Sequence, residues 1–397
     1  MRAIKRVEQA IILAAGEGQR LKPFTASKPK VMIPIANKPV LQYVVEALAL
    51  RGIRNIVIVV GYRKEQVLDF FGSGERFDVQ IQYVVQEQQL GTAHALKQAQ
   101  GLSQDRFLVL SGDNIVDHDA IASLVNAPPN TILAKRQEDA TKYGVIIAKD
   151  GVVEQIVEKP KEAMTQLVNT GIYVFTRDIF EFIDREIEVP SVLQKMIAQG
   201  CEIRVQETEG IWLDVVYPWD ILKLNSMVMD KVPPGIGGTI EKGVTVKPPV
   251  SIGKDSIIRG NSYIVGPVVI GENCEIGPGA CILPATTIGD NVFIRSLTEI
   301  RNSVIGNGVE IDSGSTVHDS VIDRGCTIGI NFIARSGQTE IKVEGEYHQV
   351  KMGAMIGEHS TIEDMVIVEP GVAIGTHTRI KGLKVVDEDI PDGTLVL

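Results

Sequence analysis

The chain has 397 residues, of which 44% are hydrophobic and 23% charged, a composition that excludes disordered and collagen-like proteins. Its length predicts about two domains. With 40 Lys and Arg against 50 Asp and Glu, the formal charge is −10, which argues against nucleic acid or an anionic membrane as partner.

The first ten residues, MRAIKRVEQA, are basic, but the apolar run that follows is short, so no signal peptide is expected. The runs AIILAAG (10–16), NIVIVVG (55–61), FLVLSGD (107–113) and TILAK (131–135) are continuously apolar, as strands covered on both faces should be. None reaches the roughly 20 residues of a membrane span. Between them, residues 39–52 and 92–100 are amphipathic and predict helices, with Gly52 and Gly101 placed to take positive φ at their ends. Strand–helix alternation predicts a doubly wound, mostly parallel α/β sheet, with ligands beyond the carboxyl ends of its strands.

The segment LAAGEGQRLKPFTASKPKVMIPIANKP (13–39) follows the first of these strands. Glycines let backbone N–H groups approach phosphate oxygens, and Arg20, Lys28 and Lys30 supply positive charge. Leu21 stands where a Rossmann fingerprint has its third glycine, and no Gly-Lys-Ser/Thr follows, so this is a phosphate loop of another kind. Asp113 closes FLVLSGD at a strand's carboxyl end, where a hard cation such as Mg²⁺ would find carboxylate oxygens. Gln86 offers an amide donor and acceptor that suit the O4/N3 edge of uracil or thymine. Gly91 permits close approach of a base, and Thr92 is expected to cap the next helix. His94 reads as a packing or exposed residue.

KVPPGIGGT (231–239) reads as a linker. The expected domains are thus 1–231 and 240–397, joined by 232–239. After the linker Ile or Val recurs every six residues from Ile240 to Ile300, eleven times without a break. A straight α-helix cannot use this period, but a parallel β-helix of hexapeptides can. The phase slips between Ile300 and Ile305 and between Val317 and Ile322, where the coil is expected to bulge. The repeat lapses over 329–350, which predicts a loop or hairpin projecting from the prism. The four cysteines, Cys201, Cys274, Cys281 and Cys326, form no CxxC and fit reduced thiols in a cytoplasm.

The run Leu13-Ala14-Ala15-Gly16-x-Gly18-x-Arg20-Leu21-x-Pro23-x-Thr25, then Lys28-Pro29-Lys30, resembles the signature of sugar-1-phosphate nucleotidyltransferases. SGDN (111–114), YGVI (143–146), EKP (158–160), NTGIY (169–173) and WLD (212–214) continue it in order. With hexapeptide repeats behind, the chain is similar to glucose-1-phosphate thymidylyltransferases and to bifunctional UDP-N-acetylglucosamine pyrophosphorylase/acetyltransferases, whose second domain is a left-handed β-helix.

The resemblance implies transfer of a nucleotidyl group from UTP or dTTP to a hexose 1-phosphate, with pyrophosphate released. It implies that Arg20 holds the leaving phosphates and Lys30 the α-phosphate. Leu13, Ala14, Ala15, Gly16, Gly18, Gln86, Gly91 and Thr92 would bind nucleotide. Gly144, Glu158, Lys159, Asn169 and Gly171 would bind the sugar phosphate. Asp113 and Asp214 would hold Mg²⁺, although Val215-Val216 depart from the pattern that usually follows the second aspartate. The acetyl-CoA pattern of the bifunctional relatives is incomplete: His318 has Asp319 beside it but no nearby Tyr, and Ile333-Ala334-Arg335-Ser336 stand where Gly-Ala-Gly-Thr is expected. Three readings remain: a nucleotidyltransferase with a structural β-helix that assembles a homo-oligomer, a trimer by resemblance; a bifunctional enzyme with His318 as base; and a sugar-nucleotide sensor without activity.

Overall fold

The computed structural model describes residues 6–162 and 164–397; the first five residues of the basic N-terminus lie outside it. The chain forms two compact units. One comprises the chain up to Glu17, Lys28–Met32 and Pro39–Asp214; the other comprises Gly18–Ser27, Ile33–Lys38 and Val215–Leu397. Helix Pro218–Met229, which the sequence reading assigns to the first domain, therefore belongs with the second unit. Asn225 on that helix shows why: its Nδ2 donates to Ala285 O (3.2 Å), and its Oδ1 accepts from Thr287 Oγ1 (2.8 Å) and Ala36 N (2.9 Å).

The first unit is built on nine strands: β1 (Gln9–Ala14), β2 (Asn55–Val60), β3 (Gln80–Val85), β4 (Arg106–Ser111), β5 (Thr131–Arg136), β6 (Gly144–Lys149), β7 (Val152–Glu158), β8 (Leu167–Thr176) and β9 (Arg204–Glu207). Their order is β3-β2-β1-β4-β8-β5-β9-β7-β6. The four apolar runs read from the sequence are β1, β2, β4 and β5. Strands β3, β2, β1 and β4 run parallel, while β8 lies antiparallel to both β4 and β5. Apolar side chains from both faces of β1 and β2 are buried in two separate core clusters, which accounts for their lack of alternation.

The chain leaves β1 toward β2 on one side, yet β4 pairs on the other. The carboxyl ends of β1 and β4 thus flank a topological switch point, where open α/β sheets bind ligands. Gly52 takes φ +73 after the helix Val40–Leu50. Gly101 does not take positive φ, because the helix Thr92–Gln98 runs on into a short 3₁₀ turn over 100–102.

In the second unit, short strands stack into three parallel sheets of eight, nine and eight strands, the arrangement of a left-handed β-helix. Each sheet takes one hexad of every coil. Ile270, Ile276 and Ile282 are followed one coil later by Ile288, Ile294 and Ile300, all at most 1% exposed. The corners carry buried hydroxyls that satisfy backbone groups of the adjoining coil. Ser256 Oγ, for example, donates to Gly271 O (2.7 Å) and accepts from Cys274 N (2.9 Å). Asn261, Asn273, Asn291 and Asn331 turn other corners at φ 54–61, a conformation asparagine tolerates better than most residues.

The phase slips are not bulges. Ile270 pairs with Ile288 across 18 residues, whereas Ile288 pairs with Ile305 and Ile305 with Ile322 across 17. One corner has lost a residue, and the inward row stays in register. At that same corner, residues 337–352 leave the prism as an antiparallel hairpin, Gly337–Val343 against Glu346–Met352, while Ile328 and Ala334 keep their places in the coil. Glu344 and Gly345 turn the hairpin at φ 50 and φ 90, the positive pair a tight two-residue turn needs. Phe332, fully buried, fills the prism next to Ala334, where the hexad lacks its branched side chain.

The inward row makes a direct prediction. Ile294→Ala, in a site with 0% exposure, should destabilise the protein by about 2–5 kcal/mol, as truncations leaving a cavity do. Chemical denaturation followed by far-UV circular dichroism would measure it. A loss below about 1 kcal/mol would show that the coil collapses around the gap.

Candidate active site

The switch point is built first from backbone. Leu13 O at the end of β1 accepts from Gly112 N (2.8 Å), and Ala15 O accepts from Tyr62 N (3.1 Å). Ala14 and Ala15 are buried, and no atom lies within 4 Å of where a Cβ on Gly16 would stand. A side chain at Gly112 would lie 3.1 Å from the Ala14 methyl, so the residue after β4 is the small one its neighbour allows. Gly112 is followed by Asp113.

Asp113, Lys30 and Asp214 come together there. Lys30 Nζ lies 2.6 Å from Asp113 Oδ2 and 3.7 Å from Asp214 Oδ1. Ser111 Oγ donates to Asp113 Oδ1 (2.6 Å) and Asn114 Nδ2 to Asp214 Oδ1 (3.2 Å). The ribbon Asn114–Val116 pairs antiparallel with Trp212–Asp214 and sets Asp214 opposite Asn114. Lys30 begins a 3₁₀ turn whose next residue, Val31, is anchored in the core. Burial works to lower the Lys30 ammonium, but the carboxylates of Asp113 and Asp214 outweigh it and the net direction is upward. Burial likewise works to raise Asp113, and Lys30 with the Ser111 hydroxyl carries it below its ordinary value.

A second group gathers on the segment that leads into the helix Thr92–Gln98. Gln86 is buried, and its Nε2 donates to Gly91 O (3.1 Å) and contacts His94 Nδ1 (2.9 Å). Because Gly91 O can only accept, the amide nitrogen must face it, which leaves Oε1 as the group Gln86 can offer. The expected donor–acceptor pair therefore reduces to an acceptor. Thr92 does not cap the helix Thr92–Gln98. It is the first helical residue, and the cap comes from Glu188, whose Oε2 accepts from Thr92 N (3.1 Å) and Thr92 Oγ1 (2.6 Å). A Cβ on Gly91 would lie 2.4 Å from Ile187 O, so only glycine fits.

A third group lies on β6, β7 and β8. Glu158 pairs with Gly144, and a Cβ on Gly144 would lie 2.8 Å from Glu158 Oε1. Desolvation pushes Glu158 up against the lowering pull of Lys159, with Glu188 adding to the rise. Lys159 follows at φ 40. Asn169 and Gly171 form a bulge in β8: Asn169 Oδ1 accepts from Gly171 N (3.0 Å), its Nδ2 donates to Tyr173 Oη (2.8 Å), and Gly171 takes φ +74. Asn169 thus spends much of its hydrogen-bonding capacity on its own strand.

Gly18 and Arg20 belong to the second unit. Gly18, at φ 83, has its carbonyl bound by Leu21 N (3.0 Å) and Thr25 Oγ1 (2.8 Å). Arg20 Nε lies 2.6 Å from Glu344 Oε2 at the hairpin turn. His348 on the same hairpin packs on Tyr217 and Trp219, with ring centroids 4.6 and 5.2 Å away. His318 Nε2 meets Glu299 Oε1 at 2.8 Å. Its neighbour Asp319 is not its partner: that carboxylate is held by Asn302, Ser336 and Lys351.

Sequence reasoning missed Ser111, Asn114, Glu188 and Glu344. Ser111 and Asn114 stand inside SGDN, so their adjacency to Asp113 was available. Glu188 and Glu344 lie 96 and 324 residues from their partners and carry no local signal.

Comparison with known proteins identifies the family. The nucleotidyl transferase family matches residues 9–231, and the GMPPB C-terminal domain matches 264–355. The bifunctional protein GlmU of Methanococcus maripaludis strain S2 is 33% identical over 366 residues, covering 88% of this chain and 87% of that protein. A bifunctional sugar-1-phosphate nucleotidylyltransferase/acetyltransferase of Sulfurisphaera tokodaii is 32% identical, covering 91% and 93%. A glucose-1-phosphate thymidylyltransferase of Streptomyces antibioticus is 33% identical, covering 80% and 92%. A crystal structure assigned as a glucose-1-phosphate thymidylyltransferase from Bacillus anthracis, in complex with a sucrose, superposes with TM-score 0.52 at 28% identity, covering 57% of this chain and 97% of that one. The fold and the switch-point site thus define a nucleotidyl-transferring enzyme. The chain belongs to the nucleotidyl transferase family.

The ion set predicts a pH signature. Asp113 is depressed, so its contribution to stability is complete above its ordinary value of 3.8 and is lost as acid titrates the folded carboxylate. Lys30 is raised, so its contribution is complete below 10.5 and is lost as base titrates the folded ammonium. Lys30→Met should therefore cost about 3–5 kcal/mol at pH 7 by removing the cation from between two carboxylates. In buffer with a metal chelator the deficit should shrink as the pH falls, because without Lys30 the buried Asp113 carboxylate takes up a proton more readily. A pH-independent deficit in urea melts would show that Lys30 acts by packing.

Proposed function

We propose that the protein transfers a nucleotidyl group from UTP or dTTP to a hexose 1-phosphate, such as glucose 1-phosphate or its N-acetylamino analogue, in nucleotide-sugar biosynthesis. The observation that carries the reading is the ammonium of Lys30 held between the carboxylates of Asp113 and Asp214 at the switch point. A sugar-phosphate oxygen attacks the α-phosphorus, its bond forms as the α–β bridging bond breaks, and the pair of electrons leaves on pyrophosphate. All partners are anions, so the protein's task is alignment and charge neutralisation. Lys30, already fixed by its two acids, stabilises charge on the α-phosphate. Arg20 takes the leaving phosphates, exchanging Glu344 for them.

Gln86 Oε1 accepts from a base that carries an N3–H, which uracil and thymine have and cytosine lacks. Gly144, Glu158, Lys159 and the β8 bulge receive the sugar phosphate. The two aspartates fit Mg²⁺ by donor chemistry: each offers hard carboxylate oxygen, and Ser111 and Asn114 hold both in orientation. Among the described residues no group of three or more His, Cys, Asp or Glu could hold a metal, and Mg²⁺ needs only one or two carboxylates beside water and phosphate oxygens. Bound there, Mg²⁺ supplies further charge neutralisation to the phosphates.

A second reading, acetyl transfer from acetyl-CoA to an amino-sugar phosphate, is favoured by the His318–Glu299 pair at 2.8 Å, an imidazole oriented by a carboxylate as a general base requires. Release of CoA in the presence of glucosamine 1-phosphate tests it. The β-helix also supports a homo-oligomer, for which we favour a trimer. Met365 and Leu383 occupy one corner of two successive coils at φ 58 and 63 with 51% and 79% exposure, and Leu297 holds the same corner beyond Gly314 and Asn331; these apolar side chains are ones another prism would cover. No described helix is long and apolar enough to cross a membrane, and the four cysteines are unpaired, which supports a cytoplasmic setting.

Two outcomes test the main reading. Pyrophosphate should appear from UTP or dTTP with a hexose 1-phosphate, and a chelator should stop it. Lys30→Ala should lower turnover about 10²–10³-fold, as loss of one preorganised charge stabiliser does. Folded protein inert with every pair in a panel of triphosphates and sugar phosphates would sink the assignment. Glu344→Gln frees Arg20 and should lower KM for the triphosphate about three-fold, the scale of an exposed ion pair. A raised KM would mean that Glu344 positions Arg20 and does not compete for it.

A further inference from the structure

Gln86 follows β3, and its N–H donates to Val60 O at the end of β2 (2.8 Å). That puts it at the carboxyl ends of parallel strands, where such sheets bind ligands. Gln86 is 3% exposed. The two protons of its amide nitrogen have two acceptors, Gly91 O at 3.1 Å and His94 Nδ1 at 2.9 Å. A carboxamide turned end for end has almost the same shape, so packing alone does not choose which end faces a ligand. Gly91 O and a lone pair on His94 Nδ1 choose it together. His94 reaches Gln86 from the helix Thr92–Gln98, and its own backbone N–H is taken by Ile187 O (3.2 Å), so the ring is not needed as a cap. A neutral imidazole has one acceptor nitrogen, and amide nitrogens face both of its nitrogens, Gln86 at 2.9 Å and Gln98 at 3.3 Å. Gln98 is half-buried and can turn its amide toward water, whereas the buried Gln86 cannot. The lone pair therefore belongs on Nδ1 and the ring proton on Nε2.

We propose that His94 is a positioning residue that sets the choice of pyrimidine: its Nδ1 lone pair holds the Gln86 amide with the oxygen toward the base. This rests on the nucleotidyltransferase reading above. Held in this way, Gln86 Oε1 accepts from the ring N–H of uracil or thymine and repels the N3 lone pair of cytosine. Without the Nδ1 acceptor, one buried N–H of Gln86 loses its partner. The turned amide, which offers a donor to cytosine N3, is then opposed by Gly91 O alone.

The test compares wild type with His94→Leu and His94→Asn, measuring KM and kcat for UTP, dTTP and CTP with a fixed hexose 1-phosphate, together with thermal stability. His94→Leu keeps bulk and removes the acceptor. His94→Asn offers an amide oxygen at the position of Nδ1. In His94→Leu the preference for UTP over CTP in kcat/KM should fall about ten-fold, within the range for a buried donor that loses its acceptor. The change should lie in KM for the triphosphate, with kcat and KM for the sugar phosphate within about three-fold of wild type. His94→Asn should restore the preference to within about three-fold of wild type, the mark of an acceptor and not of ring volume. If His94→Leu lowers the melting temperature while the UTP/CTP preference stays as in wild type, His94 only packs the helix and the proposal is overturned. If His94→Asn loses the preference as His94→Leu does, the acceptor is not the cause and the proposal is again overturned. A measurement on the wild type stands even where His94→Leu does not fold: ¹⁵N NMR of histidine-labelled protein in alkaline buffer, with His94 assigned by its loss in His94→Asn. The ring proton should sit on Nε2, and a proton on Nδ1 overturns the proposal. A wild type inactive with every substrate pair removes the nucleotidyltransferase reading, whereas an active wild type with an unchanged preference in His94→Leu removes the His94 proposal alone.

Discussion

The ammonium of Lys30 between two aspartates is the constraint on which the first unit turns. Two carboxylates at the end of a buried strand and a buried ribbon would repel each other and resist desolvation if left alone. Lys30 makes their juxtaposition tenable, and they in turn keep Lys30 charged where burial would discharge it. The parts that bring them together are otherwise unrelated in sequence: a proline-rich loop, the end of β4, and a three-residue strand beginning with a buried Trp212. Each is anchored apolarly, through Val31, the β4 core row and Trp212. The charged side chains are therefore arranged before any substrate arrives, which is what electrostatic catalysis requires.

The second unit follows a different constraint, the closure of a three-sided coil around a row one side chain wide. The row tolerates a lost residue at one corner because backbone pairing between coils, not corner length, sets the register. The same corner releases the 337–352 hairpin without interrupting the stack, since Val321 pairs directly with Met355. Asp319 at the root of the hairpin is tied to Ser336 and Lys351, and its carbonyl accepts from Gly353 N at 2.7 Å. An insertion anchored in this way can place a specific side chain, Glu344, far from the coil that carries it.

The legibility of the sequence followed the range of the interactions. The hexad row and the four apolar strands repeat a local rule, so they could be read without a structure. Asp113 could be read because a strand's end and a turn are adjacent in sequence. The cap on Thr92 could not, since threonine before a helix is an ordinary capping signal and nothing near it announces that Glu188 takes the role. Nor could Gln86 be narrowed to an acceptor, because that depends on Gly91 O and His94, which only the fold aligns. His318 was paired on adjacency with Asp319, whereas in a β-helix the neighbour of a strand residue is one coil away: Arg301 pairs with His318, and Glu299 on that same strand reaches its ring.

A single physical logic then connects Arg20 with Lys30. Both are cations that the reading assigns to phosphate, and both are held by carboxylates in the structure. Their environments differ. Lys30 is largely buried between two acids that themselves belong to the site, so substrate charge adds to a standing network. Arg20 is 38% exposed and its partner Glu344 is 53% exposed, so water screens that pair and it stabilises little. A triphosphate has several charges and can displace a lone screened carboxylate, but not two desolvated ones. Under the proposed transfer, a cation held by two desolvated acids would stay in place, whereas one in a screened pair would be free to change partners.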